Sequence, residues 1–516
     1  MYSIVSTATV CGIESIPIQV EADVCDGMPV FEMVGELSSE VKESRERMKA
    51  AIRNSGIRLA PKRITINLYP ADIRKSGTGF DLPITLAVLS AYGLILAKHL
   101  EGIIFAGEIS LNGDLHPIHG ILPIVLAAQK AGYTKVCVPR KNVPEAEIVK
   151  GITILPGDNL KQVIATLNGT EEKQKGTVSI NIEETNSFVN TDNKEEWDFD
   201  KIHGQKVLKR VCEIAAAGRH NLLMLGPPGT GKTMAARGIP GILPPLMQKE
   251  AIELAKIYSV CGMFEQRAKE FTKRPFRSPH HTISSAGLAG GGTIPKPGEI
   301  SLAHKGVLFL DELTEFQKST LEILRQPLEE KIIRLVRLKG SCEYPADIML
   351  VAAMNPCSCG YYPDKNRCTC TSQGISRYLN KISKPFLDRM DICVEVPRME
   401  LLDLIGGEKE ESSKTIQNRV MQVQKIQQTR FQETTLQYNS QIPSNEIEQY
   451  CPMTLQAQKL LQVAFESMEL SARGYYKVIK VARTIADLEQ SKYIQDVHMS
   501  ESLLYRNLDR KVWESV

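Results

Sequence analysis

Between Met1 and Leu167, runs with apolar residues at every second position (SIPIQVEADV, RITINLYP, GIIFAGEIS, TKVCVPR) are interleaved with runs whose apolar positions recur every three or four residues (VKESRERMKAAIRNSG, ILPIVLAAQKAG). A period of two marks a half-buried strand and a period of 3.6 an amphipathic helix, so residues 1–167 predict an α/β or α+β domain. From Asn168 to Trp197 the pattern is lost. Seven acids and three lysines stand there among few large apolar residues, the composition of a flexible linker. Between 198 and 400 short apolar runs (NLLMLG, GVLFLDE, DIMLVAAMNP) alternate with helical stretches, as a parallel sheet covered on both faces requires. Residues 401–516 are almost wholly helical in period and predict a helical lid.

Composition changes this picture little. The 516 residues are 42% hydrophobic and 24% charged, an ordinary globular balance. A formal charge of +3 names no partner, so a nucleic-acid case must come from local clusters. The start of the chain lacks a basic segment followed by a long apolar core, and the most apolar window, Pro83–Ala97, spans 15 residues broken by polar positions and Gly93. A buried helix is expected there rather than a membrane span, and a cytoplasmic location without membrane association. Twelve cysteines then signify reduced thiols or metal ligands instead of a disulfide frame.

The first chemical motif is GPPGTGKT: Gly226, Pro227, Pro228, Gly229, Thr230, Gly231, Lys232 and Thr233. It follows the apolar Leu222–Leu225 and precedes a helix-compatible run, the context in which a glycine loop cradles phosphates with backbone N–H groups. Lys232 adds a positive charge, the helix N-terminus adds its own, and the Thr233 hydroxyl can ligate Mg²⁺. A second apolar strand, GVLFLDE, ends in two carboxylates. Asp311 is expected to hold the Mg²⁺ through water and Glu312 to orient and deprotonate the attacking water. Asn355, at the end of a third strand, suits a water- or γ-phosphate-sensing role. Arg389, flanked by Asp388 and Asp391, is either a surface ion pair or, in a ring, a cation facing the neighbour's nucleotide. Arg473 in LSARGYY is placed to reach back over the phosphates, with Arg483 as its substitute, and Arg377 stands next in line should Arg389 not be the finger.

Four long stretches carry a family resemblance: GQKVLKRVCEIAAAGRHNLLMLGPPGTGKTMAARGIPGILPPL, RPFRSPHHTISSAGLAGGG, PKPGEISLAHKGVLFLDELTEF and SARGYYKVIKVARTIADL. The middle of the chain resembles the magnesium-chelatase branch of AAA+ ATPases, and the whole chain is similar to the ComM/YifB family. That resemblance implies a homo-oligomeric, hexameric ring with ATP between subunits, Arg389 as a finger acting in trans and Arg473 as the lid arginine. For the ComM members it implies ATP-driven branch migration of DNA in recombination or natural transformation, a helicase activity on single-stranded or branched DNA.

In this branch two insertions line the pore. Here they are GLAGGGTIPKPGEISLAHKG, with Lys296, and EEKIIRLVRLKGSCEYPAD, with Lys331, Arg334, Arg337 and Lys339. Basic groups on such loops suit sequence-independent phosphate contacts, against the alternative of a solvated face. A polypeptide substrate, remodelled as by a chelatase or chaperone, is the rival; the pore segments offer no aromatic before Tyr344. A further basic run, KESRERMKAAIRNSGIRLAPKR, either extends the track or is a solvated helix face.

Gly107–Asn142 and RKSGTGFDLPITLAVL resemble the Lon protease domain, which implies a ribosomal-S5-like α+β fold for residues 1–167. Lon chemistry needs a serine activated by a lysine. The matching positions are Gly79 and Ile124, so an inactive scaffold is expected; Ser76 lies near without a partner lysine. Finally, Cys357, Cys359, Cys368 and Cys370 form a C-x-C, eight residues, C-x-C array that either closes a structural Zn²⁺ site or stands as four reduced thiols. His280 and His281 are read as polar loop contacts.

Overall fold

The computed structural model describes residues 1–169, 197–268, 270–292, 295–337, 340–364, 366–398 and 410–506. From 170 to 196 the expected linker lies outside the described residues, as does Lys339, and of Arg337 only the backbone is described. The chain forms two compact units: Met1–Thr191 with Ile252–Phe271 and Leu338–Glu343, and the remainder.

In the first unit the period-two runs are strands: β1 (Tyr2–Cys11), β2 (Glu14–Cys25), β3 (Phe31–Val34), β4 (Arg63–Tyr69), β5 (Ile103–Phe105), a small ribbon of β6 (Glu108–Ile109) and β7 (Leu115–His116), β8 (Lys135–Pro139) and β9 (Thr153–Gly157). Seven of them make one mixed sheet in the order β3-β4-β2-β1-β5-β8-β9. β1 and β2 pair antiparallel from Tyr2↔Asp23 to Cys11↔Glu14, which turns Val5, Ile18, Val20 and Ala22 into the core. The apolar window becomes the helix Asp81–Ala91, every residue of which is buried. A helix apolar on all sides belongs inside a core, and eleven residues span only about 16 Å, half a bilayer's hydrocarbon thickness. Among the described residues no helix is long and apolar enough to cross a membrane. The first part of the basic run, Lys42–Asn54, lies in the helix Ser39–Asn54, which buries Val41, Met48, Ala51 and Ile52 and shows most of its charge to solvent; Arg47 turns inward instead, 2.7 and 2.9 Å from the buried Asp81 carboxylate.

The second unit is built on five parallel strands, β10 (Leu222–Leu225), β11 (Phe276–Arg277), β14 (Val307–Leu310), β17 (Met349–Met354) and β18 (Ile392–Glu395), in the order β11-β14-β17-β10-β18. A short ribbon of β12 (Gly290–Gly291) with β13 (Lys296–Pro297) adds to these strands; elsewhere in the chain β15 (Ile332–Arg337) pairs with β16 (Gly340–Pro345). β10, β14 and β17 are buried throughout, which explains their unbroken apolar runs. The helices Ser413–Arg430 and Ala472–Leu488 put Ile416, Val420, Val481 and Ile485 into the same core as the sheet residues Leu222, Phe309 and Val351. Polar contacts lock this packing. His220 Nε2 lies 2.8 Å from the Thr484 hydroxyl, and Lys477 Nζ lies 2.8 Å from Asp391, the residue before β18.

Candidate functional site

Ligands of open parallel sheets bind at the carboxyl ends of the strands. Here the loop leaving β10 lies between the ends of β17 and β18: the Gly226 N–H donates to the Met354 carbonyl at 3.2 Å, and a side chain at Gly226 would collide with the Val396 carbonyl, 2.4 Å from its Cβ position. Gly229 and Gly231 hold φ of +76° and +86° and face open space, the cradle that a phosphate chain needs. The helix Lys232–Ile242 starts directly behind them. Lys232 is buried, and its ammonium donates to the Gly226 and Pro227 carbonyls, each at 2.7 Å. Burial pushes its pKa down to about 8, with Asp311 opposing. A buried cation bonded only to its own loop is poised to swing onto an anion.

The Thr233 hydroxyl donates to Asp311 Oδ2 at 2.8 Å, and Asp311 Oδ1 accepts the Glu312 N–H at 3.0 Å. A hydroxyl and a carboxylate joined beside a glycine cradle are the oxygen donors that Mg²⁺ takes alongside phosphate oxygens, so the residues fit the ion. Glu312 adopts a left-handed backbone, φ +50°, and carries an exposed carboxylate. His281 Nδ1 lies 3.3 Å from Glu312 Oε2, with the His280 ring 4.0 Å from that of His281. The pair read from sequence as loop contacts thus stands at the candidate base. The signal was their place in RPFRSPHHTIS, one of the family-like stretches. Asn355, half-buried, directly follows the carbonyl that holds Gly226.

Arg389 and Arg473 meet on one carboxylate that the sequence reading missed. Glu329 Oε1 lies 2.7 Å from Arg389 Nη2 and 3.1 Å from Arg473 Nη1. Arg473, expected to reach back over the phosphates, is engaged here beside the finger candidate. Arg483, the named substitute, is fully buried, ion-paired with Asp487 at 2.9 Å and donating to the Lys492 carbonyl at 2.9 Å, a structural commitment. Arg377 is exposed on the helix Ser372–Leu379.

The two insertions touch each other. Gly290, at φ +103°, has its Cβ position 3.2 Å from Leu335 Cδ1 and 2.4 Å from the Lys296 carbonyl, and the Tyr344 hydroxyl donates to the Pro295 carbonyl at 2.7 Å. Tyr344 is buried, so it offers no grip to a substrate. Along β15 Ile333 and Leu335 face inward while Arg334 and Val336 face solvent. Lys296 is exposed, and Arg334 lies 3.3 Å from Glu330. Lys331 stands just before β15. It sits at the ribbon's base in a left-handed conformation, 3.4 Å from Asp347, a buried carboxylate that also binds Lys305 at 2.9 Å and Arg219 at 3.3 Å. Burial would raise the Asp347 pKa, but these three cations hold it far below the usual carboxylate range.

In the first unit the Lon-like positions hold no dyad. A Cβ on Gly79 would lie 2.8 Å from Ile118 Cδ1, so apolar packing fills the nucleophile's place, and Ile124 is buried. The four cysteines, in contrast, converge: their sulfurs all lie within 4.8 Å of one another.

Residues 198–404 match the family described as magnesium chelatase, subunit ChlI; residues 20–142 match subunit ChlI of Mg-chelatase, and residues 410–506 the ChlI C-terminal region. Over 509 residues the chain is 40% identical to competence protein ComM of Haemophilus influenzae, covering 98% of each. It is 41% identical over 514 residues to the uncharacterized protein YifB of Escherichia coli, covering 98% of this chain and 97% of that one. A shorter match, 26% identical over 168 residues, relates 30% of the chain to 21% of a Lon protease from Mycolicibacterium smegmatis.

Proposed function

The chain belongs to the ComM/YifB family of magnesium-chelatase-like AAA+ proteins, and from that premise we propose that it is a Mg²⁺-dependent ATPase whose subunits form a ring, hexameric in keeping with the resemblance, that translocates on DNA. The observation carrying the ATPase reading is the 2.8 Å contact between Thr233 and Asp311 beside the glycine cradle. In this reading Lys232 leaves its loop carbonyls for the phosphates and Thr233 and Asp311 hold the ion. Held by Thr233 and Asp311, Mg²⁺ would supply positive charge against the phosphates. Glu312 orients the attacking water and accepts its proton, with His281 fixing the carboxylate, and Asn355 reports on the terminal phosphate. Arg389 and Arg473, held side by side by Glu329, act together across the subunit boundary on the neighbour's nucleotide, where a trans arginine contributes about 10³–10⁵ in rate.

DNA is favoured over polypeptide because the paired insertions expose the cations Lys296 and Arg334, beside Val336 and the acids Glu329, Glu330 and Glu343, while the aromatic, Tyr344, is buried. Phosphate contacts by such groups are indifferent to sequence, as movement along a strand needs. Arg337 and Lys339, whose side chains lie outside the described residues, are the remaining cations of the segment, whereas Lys331 anchors the ribbon. The related ComM is named a competence protein, and a branch-migration helicase of recombination or transformation is the role that joins ring, ATP and DNA. One observation favours the second reading, protein remodelling: Val336, 72% exposed, would suit an apolar grip. The first unit serves as a scaffold without peptidase chemistry, given Gly79 and Ile124 at the dyad positions. We place the protein in the cytoplasm. Turnover measured with single-stranded, forked and duplex DNA and with unfolded casein tests the reading. Stimulation by forked DNA is expected, and stimulation by casein alone would replace DNA with polypeptide.

A further inference from the structure

The loop after β17 carries chemistry that ATP hydrolysis does not use. The sulfurs of Cys357, Cys359 and Cys368 are 3.3, 3.6 and 3.8 Å apart, and Cys370 Sγ lies within 4.8 Å of all three. A tetrahedral ZnS₄ centre with Zn–S of about 2.3 Å requires sulfurs about 3.8 Å apart. A disulfide would need about 2.05 Å, and all twelve cysteines are free. A backbone donor reaches the cluster as a thiolate demands: the Tyr362 N–H donates to Cys357 Sγ at 3.4 Å. The same loop leans on the phosphate cradle. Gly360 has φ +85°, and its Cβ position lies 2.8 Å from Pro228 Cδ and 4.0 Å from Asn355 Cγ. Tyr361 and Tyr362 face Pro227 across a cavity of about 330 Å³ that Val396 and Pro397 also line.

We propose that Cys357, Cys359, Cys368 and Cys370 bind one structural Zn²⁺, and that the metal holds this loop as a buttress of the phosphate cradle, so that nucleotide affinity depends on the metal. The second clause rests on the nucleotide site proposed above. On binding, the four thiols release their protons to solvent and the chain's loop is closed at both C-x-C ends, 14 residues pinned at one point.

Elemental analysis of the full chain, purified without chelator, tests the first clause: one zinc per chain is expected, and less than one fifth, or iron in its place, overturns the assignment. Extraction with a mercurial in the presence of a zinc-responsive dye gives the release stoichiometry. Re-addition of Zn²⁺ after thiol reduction is expected to restore it. For the second clause, binding of a fluorescent ATP analogue is compared in the native, extracted and reloaded protein and in the Cys368→Ser/Cys370→Ser double variant, with circular dichroism as a check on folding. A loss of affinity of at least fivefold, reversed by reloading, is expected; equal affinity with and without zinc overturns the coupling. Lys232→Ala is expected to keep its zinc while losing nucleotide. Should even the native protein bind no nucleotide, the site reading fails, and the zinc count still stands as its own result.

Discussion

Arg473 lies 3.1 Å from Glu329, on the carboxylate oxygen that Arg389 holds at 2.7 Å. Two guanidiniums gathered on one acid form a doubly positive face directed by a single residue. In the ring proposed above, a neighbour's terminal phosphate would take both away from Glu329, replacing one anion by a more highly charged one.

The first prediction follows from that exchange. Arg389→Ala and Arg473→Ala should each leave nucleotide affinity within about threefold while cutting turnover by on the order of 10²–10³. Because the two halves of the site come from different subunits in this reading, mixing inactive Arg389→Ala with inactive Lys232→Ala protein should regain measurable turnover. Mixtures as dead as their components would show that the arginine serves its own chain.

Glu312 and Lys232 separate binding from chemistry. Glu312→Gln retains the shape but cannot accept a proton, so it should bind ATP at wild-type affinity and hydrolyse it at least about 10²-fold more slowly. Lys232→Ala should fail to retain nucleotide at all. Filter binding with radiolabelled ATP, beside a phosphate-release assay, distinguishes the two.

Lys232 also sets a pH dependence. Burial holds its pKa near 8, so the free site loses its proton as the pH rises through 8, whereas a site bearing phosphates keeps it. Binding above pH 8 then requires proton uptake, and affinity should be about tenfold weaker at pH 9 than at pH 7. Titration with a fluorescent ATP analogue from pH 7 to 9.5 measures this; a flat profile would mean that the ammonium does not touch phosphate.

Acid should loosen the second unit through His220. Burial pushes its pKa down to about 4, with Asp391 pulling the other way, while the unfolded side chain titrates at about 6.5. Its folded pKa is lowered, so the unfolded chain takes up the proton first, and stability is full above pH 6.5 and lost as the pH falls toward 4. The loss amounts to about 3 kcal/mol. Asp391 acts below that window: burial raises its pKa, but Lys477 and His220 bring it down to about 2. Urea midpoints at pH 7 and pH 4.5 should differ accordingly, and His220→Gln should flatten the difference.

Removing Arg334 or Lys296 should weaken DNA binding about uniformly across sequences. The slope of log affinity against log salt should fall by about one for each phosphate that the missing cation leaves unneutralised. Lys331→Ala should instead destabilise the ribbon, since it strips a cation from the buried Asp347. Fluorescence anisotropy at several salt concentrations, beside thermal melts, separates the two effects. An unchanged salt slope in the first two variants would remove them from the track.

By itself the sequence marked the phosphate loop, the Asp311–Glu312 strand end, the apolar runs that pair as a parallel sheet, and Gly79 and Ile124 at the Lon-like positions. In each case the chemistry lies on consecutive residues and the backbone pattern carries them as one piece. It also brought the four cysteines to notice, since fourteen residues can fold back on themselves with little choice. Tertiary structure alone decided which distant charges meet. Glu329 gathers Arg389 and Arg473 from 60 and 144 residues away, His281 comes to Glu312, and Asp347 pairs with Lys331. The physical reason is that a charge's partner is chosen by which strand ends, helices and loops pack together, and the residues beside it in the chain do not encode that packing.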